Sequence, residues 1–324
     1  MSIDGEIIED PFMLADRRLH FIPNCDRDKF NILRSESTDP SLSYLQVKCG
    51  QCIECRLQKS REWATRITCE QLTSEYPSMF VTLTYDDEHL PLSSEFGIPT
   101  LNFDHSKKFI DDLRAYCQYH YQWSGVRHYT AGEYGSTSMR PHYHSCIFNL
   151  PPQLLAANKP YKVSFNGDIY YNNPIFEKIW KRGFVVLGDL TYQSAAYVAR
   201  YVTKKMTGDY KQEALSLGLV PEKAHMSNRP GIGGRFYDLH KKDIYQYDAL
   251  CLPGVAKVSP PGYFDRKYAL DDPEVMMFLK SQRALSAERS LEYKLSNTDK
   301  DFEDYMKAEE DTLRSRIKKL VRPL

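Results

Sequence analysis

The sequence predicts an α+β protein in which a central antiparallel β-sheet is flanked by helices. Its 324 residues are 42% hydrophobic, which is enough to bury a large core. Short β-branched and aromatic segments are mixed with helical segments without a regular strand–helix alternation. Parallel sheets require that alternation, so the strands are expected to pair in antiparallel fashion.

The first half of the chain contains two predicted helices and three predicted strands. Apolar side chains recur at helical spacing over residues 56–75, and residues 104–121 also read as a helix. MFVTLTY at 79–85 is β-branched and aromatic, as expected of a buried strand. RHYTAGEY (127–134) and HYHSCIFN (142–149) predict two more strands, and the Gly, Ser and Pro residues between them predict a turn.

The second half is predicted to add two strands, a helix, a loop and a charged helical tail. In chain order these are strands near 162–170 and 184–190, a helix over 194–206, a loop over 223–235 and helices from about 272 onward, with a break near Ser296. The chain then divides into three regions. They are an N-terminal arm with a cysteine cluster and helix (1–75), a core (76–210) and a C-terminal extension of loop and charged helices (211–324).

The balance of charges argues against a protein that coats nucleic acid through its overall charge. Lys and Arg number 43, as do Asp and Glu, so the formal net charge is zero. Local basic clusters still occur at Arg56–Arg66, Arg200–Lys205 and Lys223–Lys242. No apolar run of about 18 residues and no apolar signal core is present, which predicts a chain without a membrane span in the cytoplasm.

The eight cysteines are expected to be thiols or metal ligands, because disulfides are rare in the cytoplasm. Cys49, Cys52 and Cys55 have C-x2-C-x2-C spacing, and Cys25 precedes them. Four thiolates would form a closed structural Zn²⁺ site. Reduced thiols at the start of a helix, or an iron–sulfur cluster, are the alternatives.

Two histidines and a glutamate form a candidate metal site. His142 and His144 flank Tyr143, and residues i and i+2 of a strand point to the same face. Glu133 comes near both histidines if the two strands form a hairpin. Two imidazoles and one carboxylate suit Mg²⁺ or Mn²⁺ and would also accept Zn²⁺. A polar surface strand without metal is the alternative.

The predicted helix over 194–206 carries a pair of tyrosines away from its apolar stripe. At about 100° per residue, the stripe consists of Ala195, Val198, Ala199, Val202 and Met206. Tyr197 and Tyr201 fall on the far side, beside Lys204 and Lys205. We therefore expect outward-facing phenols rather than core tyrosines.

These phenols can act on a phosphodiester when their surroundings help them. A tyrosine hydroxyl has a pKa near 10 and is a weak nucleophile at neutral pH. Nearby lysines favour the phenolate, and a cation on the phosphate neutralises charge and polarises the P–O bond. The bond energy is then held in a phosphotyrosine link, and two tyrosines allow two successive strand transfers.

Several blocks resemble the motifs of one known family. FVTLTYDDEHLP (80–91), GEYGSTSMRPHYHSCIF (132–148) and AAYVARYVTKK (195–205) resemble motifs one, two and three of HUH replication initiators, in particular those of gokushovirus-type small single-stranded DNA phages (Microviridae). CGQCIECRLQKSREWATR (49–66) and MSNRPGIG (226–233) resemble further blocks of these proteins. The order and spacing of the blocks are more specific than any one of them.

The resemblance implies an HUH endonuclease fold and an enzyme that nicks and rejoins single-stranded DNA at the origin of rolling-circle replication. It implies that the cation is held by His142, His144 and Glu133, that Tyr197 and Tyr201 are alternating nucleophiles, and that Lys204 or Lys205 assists at the phosphate. The 5′ end stays on the tyrosine and the free 3′ hydroxyl primes a host polymerase. No ATPase motif is present, so a host helicase would unwind the duplex.

Contacts to DNA are predicted beside these residues. Tyr85, Tyr134 and Tyr143 are expected to stack on bases, and Arg140 and Arg200 to contact the backbone. The segment SNRPGIG contacts phosphate or is a plain turn.

Two other function classes stay open. A non-haem iron oxygenase would use the same two histidines and glutamate, but the tyrosine helix would then have no role. A non-enzymatic, zinc-containing DNA-binding protein would form no covalent adduct.

Overall fold

The computed structural model describes residues 52–135, 138–164, 167–204 and 209–319. The chain divides into two compact units, Met1–Cys55 and Arg56–Leu324. Within the predicted tyrosine helix, side chains are described as far as Ala199. The division into 1–75, 76–210 and 211–324 stays a prediction.

The main sheet consists of seven antiparallel strands. They are β1 (Met79–Tyr85), β2 (Arg127–Tyr134), β3 (Pro141–Phe148), β4 (Lys159–Val163), β5 (Ile169–Asn172), β6 (Gly183–Asp189) and β7 (Ala224–Met226). Their order is β4-β5-β6-β1-β3-β2-β7, and each neighbouring pair is antiparallel. The predicted α+β fold with a central antiparallel sheet is confirmed, and β3 lies inside the sheet.

Helices surround this sheet and continue into the C-terminal part of the chain. They are α1 (Ile53–Leu72), α2 (Phe103–Tyr121), α3 (Pro152–Leu155), α4 (Pro174–Trp180), α5 (Tyr192–Lys204), α6 (Asp209–Ser216), α7 (Gly234–Tyr247), α8 (Gly262–Asp271), α9 (Pro273–Ser296) and α10 (Phe302–Lys319). A small hairpin joins β8 (Leu250–Leu252) and β9 (Val255–Val258). None of the helices in the described ranges has the length and apolar character needed to cross a membrane.

The two faces of the sheet have different roles. One face, here called the core face, packs against α2 and α4 through Leu83, Tyr143, Phe109 and Trp180, all buried. On this face Gly132 of β2 has no room for a side chain, because a Cβ would lie 2.8 Å from the Phe103 ring at the start of α2. This close approach fixes α2 against the sheet.

The other face, here called the site face, is covered over β2 and β3 by α1 and α5. Ala64 and Ile67 of α1 and Ala195 and Val198 of α5 are fully buried in one apolar cluster with Cys146 of β3. Small side chains on α5 allow the helix to approach the strands closely. The apolar stripe predicted from the sequence is therefore confirmed for its described members.

Candidate active site

The β2–β3 hairpin brings the predicted metal ligands together. Glu133 is directly opposite His142, and Ala131 is opposite His144. On the other side of β3, Thr82 of β1 is opposite His144. Because side chains alternate along a strand, both imidazoles and the carboxylate lie on the site face.

The three side chains form a compact buried cluster. Nε2 of His142 lies 2.7 Å from Oε1 of Glu133, and Nε2 of His144 lies 3.3 Å from the same oxygen. The residues are 3–9% exposed, with His144 at 1%. Their ligand atoms all lie within 4.8 Å of one another, so one ion can reach all three residues.

The other nitrogen of each imidazole is held by a fixed partner. Nδ1 of His142 lies 3.0 Å from the backbone oxygen of Arg140. A carbonyl oxygen only accepts, so this Nδ1 carries the proton. Nδ1 of His144 lies 3.0 Å from Oγ1 of Thr82, and this contact orients the ring in the same way. Both Nε2 atoms are thereby directed at Glu133.

The protonation states suit a cation site. Burial raises the pKa of the Glu133 carboxyl, but the hydrogen bonds from His142 and His144 outweigh it and hold the pKa below its usual range. Burial lowers the pKa of His144 despite the neighbouring carboxylate. An ionised carboxylate and a neutral imidazole are the forms that bind metal.

One oxygen of the cluster favours a cation directly. Oε2 of Glu133 is buried and has no hydrogen-bond partner among the described residues. A buried carboxylate oxygen of this kind is costly unless it is paired. The donor set therefore fits a divalent cation, as the sequence predicted, and does not choose between Mg²⁺ and Mn²⁺.

Helix α5 is fixed next to this cluster by its first turn and by α1. The backbone N–H of Thr191 donates to Oγ of Ser194 at 2.8 Å, and the N–H of Ser194 donates to Oγ1 of Thr191 at 3.2 Å. This reciprocal cap satisfies donors at the start of the helix. Ser60 of α1 donates to the backbone oxygen of Ala196 at 3.0 Å, next to Tyr197.

Tyr197 contacts the metal cluster. The centroid of its ring is 5.4 Å from that of His144, and the rings meet at 76°. The ring also meets Phe80 of β1 at a centroid distance of 6.3 Å. We expected an outward-facing phenol, but the ring is half-buried and its hydroxyl is shielded from solvent. The reason is that α5 crosses the site face at an angle that tucks this side of the helix against β1 and β3.

Other predicted residues fall where side chains are not described. Tyr201 and Lys204 lie in α5, one and two turns after Tyr197, and Arg200 lies between them. Lys205 is outside the described residues, as are Cys25 and Cys49. The roles assigned to these residues stay predictions.

The described end of the cysteine cluster is at the start of α1. The backbone N–H of Cys55 donates to Sγ of Cys52 at 3.5 Å. Since two of the four predicted ligands are outside the described residues, the Zn²⁺ site stays a prediction.

The three tyrosines predicted to stack on DNA bases are buried instead. Tyr85 and Tyr143 are 0% exposed and Tyr134 is 3% exposed. The Tyr143 hydroxyl donates to the backbone oxygen of Asn102 at 2.6 Å, and the Tyr134 hydroxyl donates to that of Val220 at 2.8 Å. The prediction is wrong because all three point to the core face, away from the histidines.

Arg140 is already bound within the protein. Its Nη2 donates to the backbone oxygen of Tyr85 at 2.9 Å and its Nη1 to Asp87 at 2.8 Å. A phosphate would have to replace the exposed Asp87 carboxylate, so the predicted contact stays a prediction.

The SNRPGIG segment is held by a buried ion pair. Arg127 of β2 pairs with Glu70 of α1 and donates to the backbone oxygen of Pro230 at 2.6 Å. Glu70 also accepts from the N–H of Gly233 at 2.7 Å. These contacts favour a structural turn, at the end of β2 opposite to Glu133.

Thr82 and Phe80 are site residues that the sequence reasoning missed. Thr82 orients His144, and the ring of Phe80 stacks on the same imidazole at a centroid distance of 5.4 Å. Alternation along MFVTLTY was the available signal, since it puts Phe80 and Thr82 on one face of β1.

Comparisons with known proteins agree with this site. The family model of the replication-associated protein ORF2 and its relatives matches residues 78–206, which include the metal ligands and both tyrosines. The replication-associated protein ORF2 of Spiroplasma virus 4 is 36% identical over 284 residues, covering 86% of this chain and 85% of that protein. Protein VP4 of Bdellovibrio phage phiMH2K, also named replication-associated, is 28% identical over 76% of this chain and 75% of its own.

A third relative, the replication-associated protein ORF4 of Chlamydia phage 1, is 34% identical over 50% of this chain and 41% of its own length. No solved structure matches the chain. The fold and the relatives thus define a phage replication protein. The chain belongs to the replication-associated protein family of small single-stranded DNA phages, which confirms the predicted resemblance.

Proposed function

We propose that this protein starts rolling-circle replication by nicking and rejoining single-stranded DNA at the phage origin. The observation that carries the proposal is the contact between the Tyr197 ring and His144 of the buried His–Glu cluster. It puts a nucleophile of suitable chemistry beside a cluster suited to a cation.

The residues of the chain divide the work. His142, His144 and Glu133 would hold Mg²⁺ or Mn²⁺, which supplies charge neutralisation at the scissile phosphate. Thr82 and the backbone oxygen of Arg140 keep both Nε2 atoms directed at that position. Since the Tyr197 hydroxyl is shielded here, binding of the strand must uncover it.

The covalent steps are two transesterifications. Oη of Tyr197 loses its proton and attacks phosphorus, the P–O3′ bond breaks, and the departing 3′ oxygen takes up a proton. The 5′ phosphate stays on the tyrosine, and the 3′ hydroxyl serves a host polymerase behind a host helicase. Tyr201 would repeat the attack after one round, and a 3′ hydroxyl then displaces the first tyrosine and rejoins the strand. Lys204 and Lys205 would favour the phenolates.

A denaturing gel tests the proposal. Single-stranded oligonucleotides that tile the phage genome are incubated with the full chain and Mn²⁺, and one of them should give a covalent protein–DNA adduct. EDTA should abolish the adduct, as should the double variant Tyr197→Phe, Tyr201→Phe. Tyr293→Phe, at an exposed tyrosine of α9, is the matched control and should leave the adduct intact.

Other outcomes would support another function class. An adduct that persists in the double variant, or no adduct with any oligonucleotide, contradicts the proposal. DNA binding that is indifferent to EDTA and gives no adduct indicates the non-enzymatic DNA-binding protein.

A further inference from the structure

We propose that the part of the site face formed by β6, β5 and β4 binds single-stranded DNA through base stacking on Phe184 and Tyr170. The inference rests on the proposed function, which supplies the ligand class. It names the surface that holds the strand next to the metal cluster, and it replaces the three buried tyrosines in that role.

Phe184 belongs to the same row of side chains as a metal ligand. It is opposite Thr84 of β1, and Thr84 is opposite His142 of β3. Neighbouring strands are about 4.8 Å apart, so Phe184 lies roughly 10 Å from His142 on the same face. Its side chain is 66% exposed, although β6 is an interior strand. The row therefore leads from the imidazole to an open aromatic ring.

Tyr170 belongs to a second row that also reaches the cluster. Gly188 of β6 is opposite Phe80, and a Cβ at Gly188 would lie 3.3 Å from the Tyr170 ring. The ring of Tyr170 thus lies beside Gly188, while Phe80 stacks on His144. The glycine makes room for the ring, so aromatic surface extends from His144 across β6 to β5.

The helices leave this part of the site face open. Helix α5 packs on β2 and β3, and α4 packs on β6 from the core face through Phe176 and Trp180. Val186, between the two rows on β6, is only half-buried. Exposed apolar side chains that lie together mark a binding surface more often than scattered ones do.

The charges on these rows suit a polyanion. Lys162 pairs with Tyr170, and Lys159 pairs with Asn172, so both exposed lysines are on the site face. Among the described strand residues of these rows none is acidic; they are Phe80, Thr82, Thr84, Phe184, Val186, Gly188, Tyr170, Asn172, Lys159 and Lys162. Aromatic rings flanked by cations and free of carboxylates are the pattern that holds unpaired bases and their phosphates.

Fluorescence anisotropy with a labelled single-stranded oligonucleotide tests this surface. It is measured on the full chain in EDTA, so that binding is read without cleavage. Phe184→Ala and Tyr170→Ala should each raise Kd about 10-fold, whereas Phe184→Tyr should bind as the wild type does. Lys162→Gln should reduce the slope of log K against log salt by about 0.7. Tyr119→Ala, at a tyrosine of α2 that is 78% exposed, is the matched control and should change nothing.

The results separate this inference from the proposed function. Unchanged Kd values for both alanine variants, with native circular dichroism, overturn the stacking surface while the wild-type adduct still supports the nuclease. Weaker binding by these variants supports the surface even if the wild type forms no adduct. A change of oligomeric state in Phe184→Ala at unchanged Kd would show a protein interface instead and overturn the inference.

Discussion

The rings of Tyr197 and His144 meet at 76° with 5.4 Å between their centroids. Helix α5 and strand β3 therefore contact each other through the two side chains proposed to do the chemistry. The hydroxyl and the ring of Tyr197 have separable roles in this contact, one chemical and one structural.

Tyr197→Phe removes the hydroxyl and keeps the ring. We expect the variant to fold with wild-type stability and to form adducts only through Tyr201, which peptide mass spectrometry of the adduct would locate. Tyr197→Ala should lose the ring contacts as well and unfold at lower temperature. An adduct at position 197 in neither protein, with the wild type modified elsewhere, would contradict the assignment.

Thr82→Val keeps the shape of the side chain but removes the hydrogen-bond partner of His144. Because such partners orient metal ligands, the affinity for Mn²⁺ should fall 10- to 100-fold, about the range for this type of change. Isothermal titration calorimetry measures the affinity, and Thr82→Ser should restore it. Thr84→Val, at the same face of β1, is the matched control; equal losses in the two valine variants would argue against an orienting role.

Glu133→Gln should abolish stabilisation by the metal. A ligand that binds only the folded chain stabilises it by about 2.7 kcal/mol at 100 times its Kd. Differential scanning calorimetry should therefore show a rise in Tm when Mn²⁺ is added to the wild type and no rise for the variant. A similar rise in both proteins would mean that the ion binds somewhere else.

Glu70→Gln leaves the Arg127 guanidinium buried without its counter-ion. The Glu70 and Arg127 side chains are only 3% and 11% exposed, and breaking a buried pair in this way costs about 3 kcal/mol. Urea denaturation measures the loss. Asp104→Asn breaks the exposed pair with Lys107 and should cost less than about 1 kcal/mol. Equal losses in the two variants would contradict this account of the SNRPGIG turn.

Two histidines on the core face predict acid sensitivity. Burial, reinforced by their mutual repulsion and by Arg114, lowers the pKa of His128 to about 3, and burial lowers that of His225 to about 4. Nε2 of His128 and Nδ1 of His225 are 3.1 Å apart, and Nε2 of His225 lies 2.9 Å from Ser106.

Below pH 6.5 the unfolded chain binds protons that these folded histidines do not. Stability is thus complete above about pH 6.5 and decreases as the pH falls towards 4, by at most about 1.4 kcal/mol per pH unit for each histidine. Urea denaturation at pH 7.5 and 5.0 should show the decrease, and His225→Gln should reduce it. An unchanged pH dependence in that variant would exclude His225 as a cause.

Local patterns were enough to predict the elements of the site. The bounds of β1 and β2 agree with the predicted 79–85 and 127–134, and the hairpin puts Glu133 opposite His142. These predictions depend on spacing along one strand or one helix, where side-chain direction follows from backbone geometry.

What depended on packing between elements was harder to predict. Tyr143 was assigned to DNA although it alternates with two histidines and so must point away from them. Phe184, in the apolar run GFVVLGD, resembles any core residue until the strand order shows that no helix covers it. The outward direction expected for Tyr197 failed for the same reason, since a helical wheel does not say how a helix crosses a sheet.

The alternation along β3 couples the chemistry of this protein to its folding. His142 and His144 occupy one side of the strand, and Tyr143, bonded to Asn102 at the start of α2, occupies the other. Inserting a single residue into the turn that precedes β3 would exchange the two sides, turning both imidazoles into the interior and the phenol out of it. A phage could therefore vary the length of this turn only in steps that preserve the strand's parity.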